Sequence, residues 1–339
     1  MGKEEKREFF PHDTKKILKK LKKDEWIDLL KQMVLIRNFE IRGEAAYQQG
    51  KVGGFYHSYM GQEAIQAAAV KAIGKDNWWI TTYRCHALAL LLGESPESLM
   101  AELYGKENGN AKGRGGSMHF YSERMLGGFG IVTSQVPVAT GAAFSLKYQD
   151  VEDEIAICFL GDGAVPQGAL HESLNLASLW DLPCLYVIEN NQWGMGTAVE
   201  NAVCVKRLAE DIAPSYNMNG YTFDGMDFFN CYHGFDHVFE EIKKKKRPVL
   251  VECVCERFRG HSISDPGLYR SKDDLKKAKD RDPIFLLLHE LEDAGYIDEE
   301  GYKEIDKEAK EAIKEAMKYA NDSPWPDPVT LEEGVFDGN

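Results

Sequence analysis

The chain has 339 residues, 43% of them hydrophobic, with a formal net charge of −14. That length suits one large domain or two with a sizeable core, and the acidic balance argues against binding nucleic acid through phosphate neutralisation. No apolar run approaches the roughly 18 residues of a membrane span. The start "MGKEEKREFF" shows no secretory leader, and Lys6 breaks the myristoylation pattern. The seven cysteines are odd in number and contain no C-x-x-C, so they read as reduced, mostly structural thiols of a cytoplasmic protein.

In chain order, residues 1–23 form a Lys-rich lead-in expected to be solvated. Residues 24–48 carry Leu29, Leu30, Met33, Val34 and Ile36 near a 3.6-residue period, which predicts an amphipathic helix ended by Gly50, Gly53 and Gly54. A second helix starts near Gly61. "WWITTYRCHALALLLG" sets the polar pair Tyr83-Arg84 inside an apolar run. Residues 105–117 and 127–132 read as Gly-rich loops, and a helix with proline in its first turn begins near Pro137. "IAICFL" at 155–160 lacks alternation, the mark of a strand covered on both faces. A helix over 168–180 and a second buried strand, "CLYVI", follow. The basic run Lys243–Arg247 suits a helix C-terminus. "VLVECVCE" is another strand, "RFRGHSISDPGLYR" a loop, and the chain after Pro283 is helical until "SPWPDP". The fold class is α/β: a parallel sheet flanked by helices, with helical N- and C-terminal extensions. The expected division is a lead-in (1–23), one α/β domain including the C-terminal helices (24–322) and an extended tail (323–339).

The chemistry starts at "GDG", residues 161–163, and "NN", residues 190–191. Each cluster follows a strand of one βαβ unit, so Asp162 and Asn191 sit past the carboxyl ends of parallel strands, where open sheets bind ligands. A carboxylate and an amide oxygen are hard donors suited to Mg²⁺ or Ca²⁺. Gly161 and Gly163 let backbone amides approach phosphates, near the N-terminus of the helix from Gly168. Alone, G-D-G is equally a capped strand-to-helix turn. The dinucleotide fingerprint G-x-G-x-x-G, with Glu189 as its ribose acid, fails at Pro166, and no phosphate-loop lysine follows a Gly-rich turn.

The string "GDGAVPQGALHESLNLASLWDLPCLYVIENNQWGMGT" resembles the thiamine diphosphate motif of the alpha subunits of 2-oxo acid dehydrogenases. "GFYHSYMGQEA", "ITTYRCHALAL", "KGRGGSMHFY", "GGFGIVTSQVP" and "RFRGHSISDPG" match the same family in order, over about residues 25–330. The resemblance implies a thiamine diphosphate-binding fold. It implies that Asp162 and Asn191 bind Mg²⁺ by side chain and Trp193 by its carbonyl. Gly163 and Ala164 would contact the diphosphate, as would Tyr83 and Arg84; Gly130 and Val132 would meet the aminopyrimidine through their backbone. His57 and His261 would reach the cofactor and handle protons or charge, whereas His86, His119 and His171 are expected to be structural.

In such enzymes the cofactor's own aminopyrimidine activates its thiazolium carbon, a 2-oxo acid loses carbon dioxide, and the acyl group passes to a lipoyl-bearing acyltransferase. A glutamate from a beta subunit assists, so the resemblance implies a heterotetramer of two alpha and two beta chains. "KGRGGSMHFY" and "GHSISDPG" lean toward pyruvate rather than branched-chain 2-oxo acids or acetoin. Ser262 falls on the family's phosphorylated loop, whose second serine has no counterpart here. Phe129 and Pro166 stand where the family commonly has asparagine. An NAD-dependent oxidoreductase and a non-catalytic scaffold remain the readings from other classes. No nucleic acid or membrane partner is expected.

Overall fold

The computed structural model describes residues 8–333. The first seven residues, with Lys6 and the start of the lead-in, and the last six of the expected tail lie outside the described residues.

The strands are β1 (Trp78–Thr82), β2 (Met125–Phe129), β3 (Ala156–Gly161), β4 (Cys184–Asn190), β5 (Trp193–Gly194), β6 (Thr197–Ala198), β7 (Asn219–Asp224) and β8 (Val249–Val254). Six of them build one sheet in the order β2-β1-β3-β4-β8-β7, and every neighbouring pair is parallel. β5 and β6 make a small antiparallel pair beside it. The missing alternation in β3 has its reason here: Ile157 and Phe159 enter the core on one face of the sheet, and Ala156, Cys158 and Leu160 the core on the other.

The helices are α1 (Thr14–Leu18), α2 (Lys23–Gln48), α3 (Glu63–Ile73), α4 (His86–Leu92), α5 (Pro96–Leu103), α6 (Gln135–Tyr148), α7 (Gly168–Leu179), α8 (Val199–Ala202), α9 (Phe228–Lys245), α10 (Lys272–Asp280), α11 (Pro283–Asp293) and α12 (Glu299–Asp322). α6 and α7 cover one face of the sheet. α2 to α5, α9, α11 and α12 share the larger core on the other. α9 ends in Lys243, Lys244 and Lys245, cations at the negative end of the helix dipole.

Three local expectations change. Within the lead-in, Ile17 and Leu18 of α1 are buried, and Phe10 donates its N–H to Thr222 O at 2.8 Å along β7. The stretch 127–132, read as a loop, starts inside β2, the edge strand beside β1. Gly128 serves close packing: a Cβ there would lie 2.6 Å from Met118 O and 2.7 Å from Cys85 Cβ. Gly128→Ala is therefore expected to destabilise the chain by about 1–3 kcal/mol through overpacking, read as a lower urea midpoint at unchanged slope. The expected tail, residues 323–339, contains a short 3-10 turn at Pro328–Glu332.

Candidate active site

Because β2, β1, β3 and β4 are adjacent and parallel, their carboxyl ends lie side by side. β2 runs on into Gly130 and Val132, β1 into Tyr83 and Arg84, β3 into Asp162, Gly163 and Ala164, and β4 into Asn191. These residues, with His57, Trp193 and His261, line one cavity of about 700 Å³. All eleven residues singled out from the sequence are thus brought together.

Asp162 opens a 3-10 turn, Asp162–Ala164, and is only 2% exposed. Its Oδ2 has no hydrogen-bond partner, and burial pushes its carboxyl up to about 6. Asn191 donates from Nδ2 to Gln62 Oε1 at 3.1 Å and leaves Oδ1 without a partner. Its neighbour Asn190 does the opposite work: Nδ2 donates to Glu252 Oε1 at 2.7 Å and Oδ1 accepts from Gln192 N at 3.0 Å, tying β4 to β8. The turns after β3 and β4 touch, for a Cβ on Gly163 would lie 3.1 Å from Gly194 Cα. Two buried, unsatisfied hard oxygens on adjoining turns form a donor set that fits a divalent cation. No cluster of three His, Cys, Asp or Glu side chains able to hold a metal occurs among the described residues.

The family described as dehydrogenase E1 component matches residues 31–329. The chain belongs to that family. It is 41% identical over 316 residues to the pyruvate dehydrogenase E1 component subunit alpha of Rickettsia felis, covering 93% of this chain and 96% of that protein. The subunit of the same name from Rhizobium meliloti is 38% identical over 317 residues, 93% of this chain and 90% of that one. The chloroplastic alpha-3 subunit from Arabidopsis thaliana is 38% identical over 322 residues, 93% of this chain and 75% of that one. Membership implies thiamine diphosphate as the cofactor.

Arg84, with His57, Tyr83 and His261 around it, brings a positive charge to the wall of the cavity. Arg84 is buried, and its two terminal nitrogens donate to Ser58 O at 2.7 Å and His261 O at 2.6 Å. The guanidinium expected to face an anion therefore also ties together the two histidine-bearing loops. Burial, and then the nearby Arg257, push its pKa down to about 10. His57 packs against Tyr83 at 4.3 Å and edge-on against His261 at 5.1 Å. Burial, and then the charge of Arg84, push the two imidazoles down to about 2 and about 3, so both are neutral near pH 7. The His261 N–H is held by Asp265 Oδ2 at 2.6 Å, which also accepts from Tyr269 Oη at 2.6 Å.

The histidines set aside as structural are engaged elsewhere. His171 is shared between Tyr216 Oη at 2.8 Å and Val165 O at 3.1 Å, and His119 Nδ1 lies 3.1 Å from Gly115 O. Ser262 also lines the cavity and shares a hydrogen bond with Ser264 Oγ at 2.9 Å.

Gln62 and Arg257 escaped the sequence reading, and Glu189 was weighed there only as a ribose acid. Gln62 aligns Asn191, as above. Glu189, at the end of β4, accepts from Tyr59 Oη and from Gln66 Nε2 at 3.2 Å, and burial pushes it up to about 7. Both bonds fall on Oε1, and Glu189 lines the cavity. Arg257 is buried with Nε and Nη1 unpartnered, while Nη2 reaches Tyr269 Oη at 3.1 Å and Met195 O at 3.4 Å. In "RFRGH" nothing separates it from Arg259, which lies nearer solvent and pairs with Glu44 at 2.8 Å. No helix among the described residues is long and apolar enough to cross a membrane.

Proposed function

We propose that this chain is the alpha subunit of a cytoplasmic, thiamine diphosphate-dependent pyruvate dehydrogenase that decarboxylates pyruvate and hands the acetyl group to a lipoyl group. Residues 24–322 would form the working domain, with 1–23 as lead-in and 323–339 as tail. The observation that carries the reading is the pair of unsatisfied oxygens, Asp162 Oδ2 and Asn191 Oδ1, buried on adjoining turns of a cavity that Arg84 also lines. The names of the relatives support pyruvate as the substrate.

Bound thiamine diphosphate supplies a nucleophilic carbon and an electron sink for decarboxylation. Asp162, Asn191 and the Trp193 carbonyl would hold Mg²⁺. The N–H groups of Gly163 and Ala164, with Tyr83, Arg84 and the free N–H groups of Arg257, would neutralise the diphosphate. Gly130 and Val132 would meet the aminopyrimidine with their main chain. His57 and His261, held neutral, can each take up one proton or donate one hydrogen bond beside the reacting carbonyl.

The acids among the cavity's lining residues are Asp162 and Glu189. The first would be committed to the cation, and Glu189 accepts from Tyr59 and Gln66. The carboxylate needed beside the aminopyrimidine would therefore come from a beta subunit, in a two-plus-two heterotetramer that serves a lipoyl-bearing acyltransferase. Ile131 and Val132, 75% and 40% exposed next to the cavity, are the kind of apolar surface a partner covers.

The purified chain alone is expected to release no carbon dioxide from pyruvate, and co-expression with the beta chain to restore turnover. Assays of the pair with pyruvate, 2-oxoisovalerate and acetoin decide the substrate. Turnover by the isolated chain, or a thermal shift with NAD and none with thiamine diphosphate and Mg²⁺, would overturn the reading.

A further inference from the structure

Behind the cavity, four buried groups close a ring of hydrogen bonds. Tyr56 Oη donates to Glu40 Oε2 at 2.8 Å, and the other oxygen, Oε1, lies 3.0 Å from His86 Nδ1. His86 Nε2 lies 2.8 Å from Ser117 O, and Ser117 Oγ donates to Phe55 O, one residue before Tyr56. Glu40, Tyr56 and His86 are fully buried. The chain makes room for the ring: a Cβ on Gly43 would lie 2.2 Å from Tyr56 Oη. The Gly-rich segment that delivers Ser117 is anchored as well, since Glu102 accepts the N–H groups of Ala111, Gly113, Gly115 and Gly116 at 2.9, 2.8, 2.7 and 3.0 Å.

The ring meets the cavity at three of its corners, Tyr56, His86 and Ser117. Phe55 lines it, His57 follows Tyr56, Met118 follows Ser117, and Arg84 stands two residues before His86. Four segments distant in sequence are thus locked in one relative position. Three of them contribute a wall residue, and the fourth, α2, brings Glu40 from behind.

We propose that Glu40 and His86 are positioning residues for this site, setting His57 and Met118 through the closed ring. The inference rests on the reading of the cavity as the thiamine diphosphate site. Proton counting sharpens it. Both imidazole nitrogens of His86 face acceptors, so the ring needs a proton on Nε2 and one more between Nδ1 and Glu40. Glu40→Gln supplies that second proton from its amide while its oxygen still accepts from Tyr56, so an uncharged ring can close. Glu40→Ala cannot close it.

The test uses the chain assembled with its beta partner. Tyr56→Phe, Ser117→Ala and Glu40→Ala are each expected to raise the apparent KM for thiamine diphosphate about 10-fold, the scale of a lost outer contact at a cofactor site. Saturated kcat should stay within about twofold of wild type. Glu40→Gln should behave as wild type. The double variant Tyr56→Phe with Ser117→Ala should be little worse than either single one, because a ring opens at its first break. Unchanged KM with only a lower Tm would overturn the proposal, as would multiplied losses in the double variant or a Glu40→Gln variant as impaired as Glu40→Ala. If wild type showed no dependence on thiamine diphosphate, the functional reading would fall separately. The ring would then be judged by tryptic cleavage after Lys112 and Arg114 in the ligand-free chain. Faster cleavage in the three ring-breaking variants, but not in Glu40→Gln, upholds it; equal rates overturn it.

Discussion

Asp162→Asn should make the ligand-free chain more stable and yet nearly abolish Mg²⁺-dependent binding of thiamine diphosphate. The two effects share one cause. Asp162 is buried, one of its oxygens has no partner, and its pKa stands at about 6 against an ordinary 3.8. A raised carboxyl pKa means that the ionised form disfavours the fold at neutral pH, by on the order of 3 kcal/mol for this shift. Asparagine keeps the shape and one hard oxygen and removes the charge, so that penalty disappears. The same charge is what would draw a divalent cation to the turn. Its loss is expected to weaken cofactor binding by at least about 100-fold, the upper end for merely supporting contacts at metal sites. Thermal unfolding with and without thiamine diphosphate and Mg²⁺ reads both. The variant should melt higher than wild type without ligand and shift far less with it. A lower ligand-free Tm, or an undiminished shift, would contradict the assignment.

His57 and His261 should each pull the protein toward acid destabilisation from about pH 6.5 downward. Both imidazoles are held well below the usual range, at about 2 and about 3, chiefly by burial. The unfolded chain takes up their protons near pH 6.5, while the folded chain does not until far lower pH. Through these two groups the unfolded state binds more protons, a contribution that lowers stability by on the order of 2–3 kcal/mol per pH unit below about pH 6.5. The raised carboxyls of Asp162 and Glu189 take up protons in the folded chain first and offset it in the wild type, so the imidazole contribution is read as the difference between wild type and variants. Urea unfolding at pH 7.5, 6.0 and 5.0 measures it, and His57→Gln and His261→Gln should each remove about half. In the assembled enzyme either substitution should also lower kcat about 100-fold, the usual scale of a lost proton-transfer group. The wild-type rate profile should show no imidazole limb between about pH 6 and 8. Such a limb assigned to either residue, or an unchanged stability slope in both variants, would refute the expectation.

The site could be read from the sequence to the extent that its residues are local to strand ends. Asp162 and Asn191 follow apolar runs whose lack of alternation already implies strands buried on both faces, and parallel strands put their carboxyl ends on one edge. Gly130 and Val132 were found through the family resemblance, although their segment begins in an edge strand and not a loop; Gly128 there leaves room for Met118 O and Cys85.

What the sequence determined by itself was the order of buried strands and covering helices, and the polar turns placed at one end of them. Those follow from periodicity and turn chemistry, which act over a few residues. Tertiary structure decided which polar groups are spent and which stay free. Asn190 finds Glu252, 62 positions away, while Asn191 keeps an oxygen for the cavity. Arg84 is divided between carbonyls 26 and 177 positions away. Arg257 is left with free donors, while Arg259 meets Glu44. Whether a side chain has a partner depends on what the fold brings to it from distant segments, and burial then sets the consequence of having none.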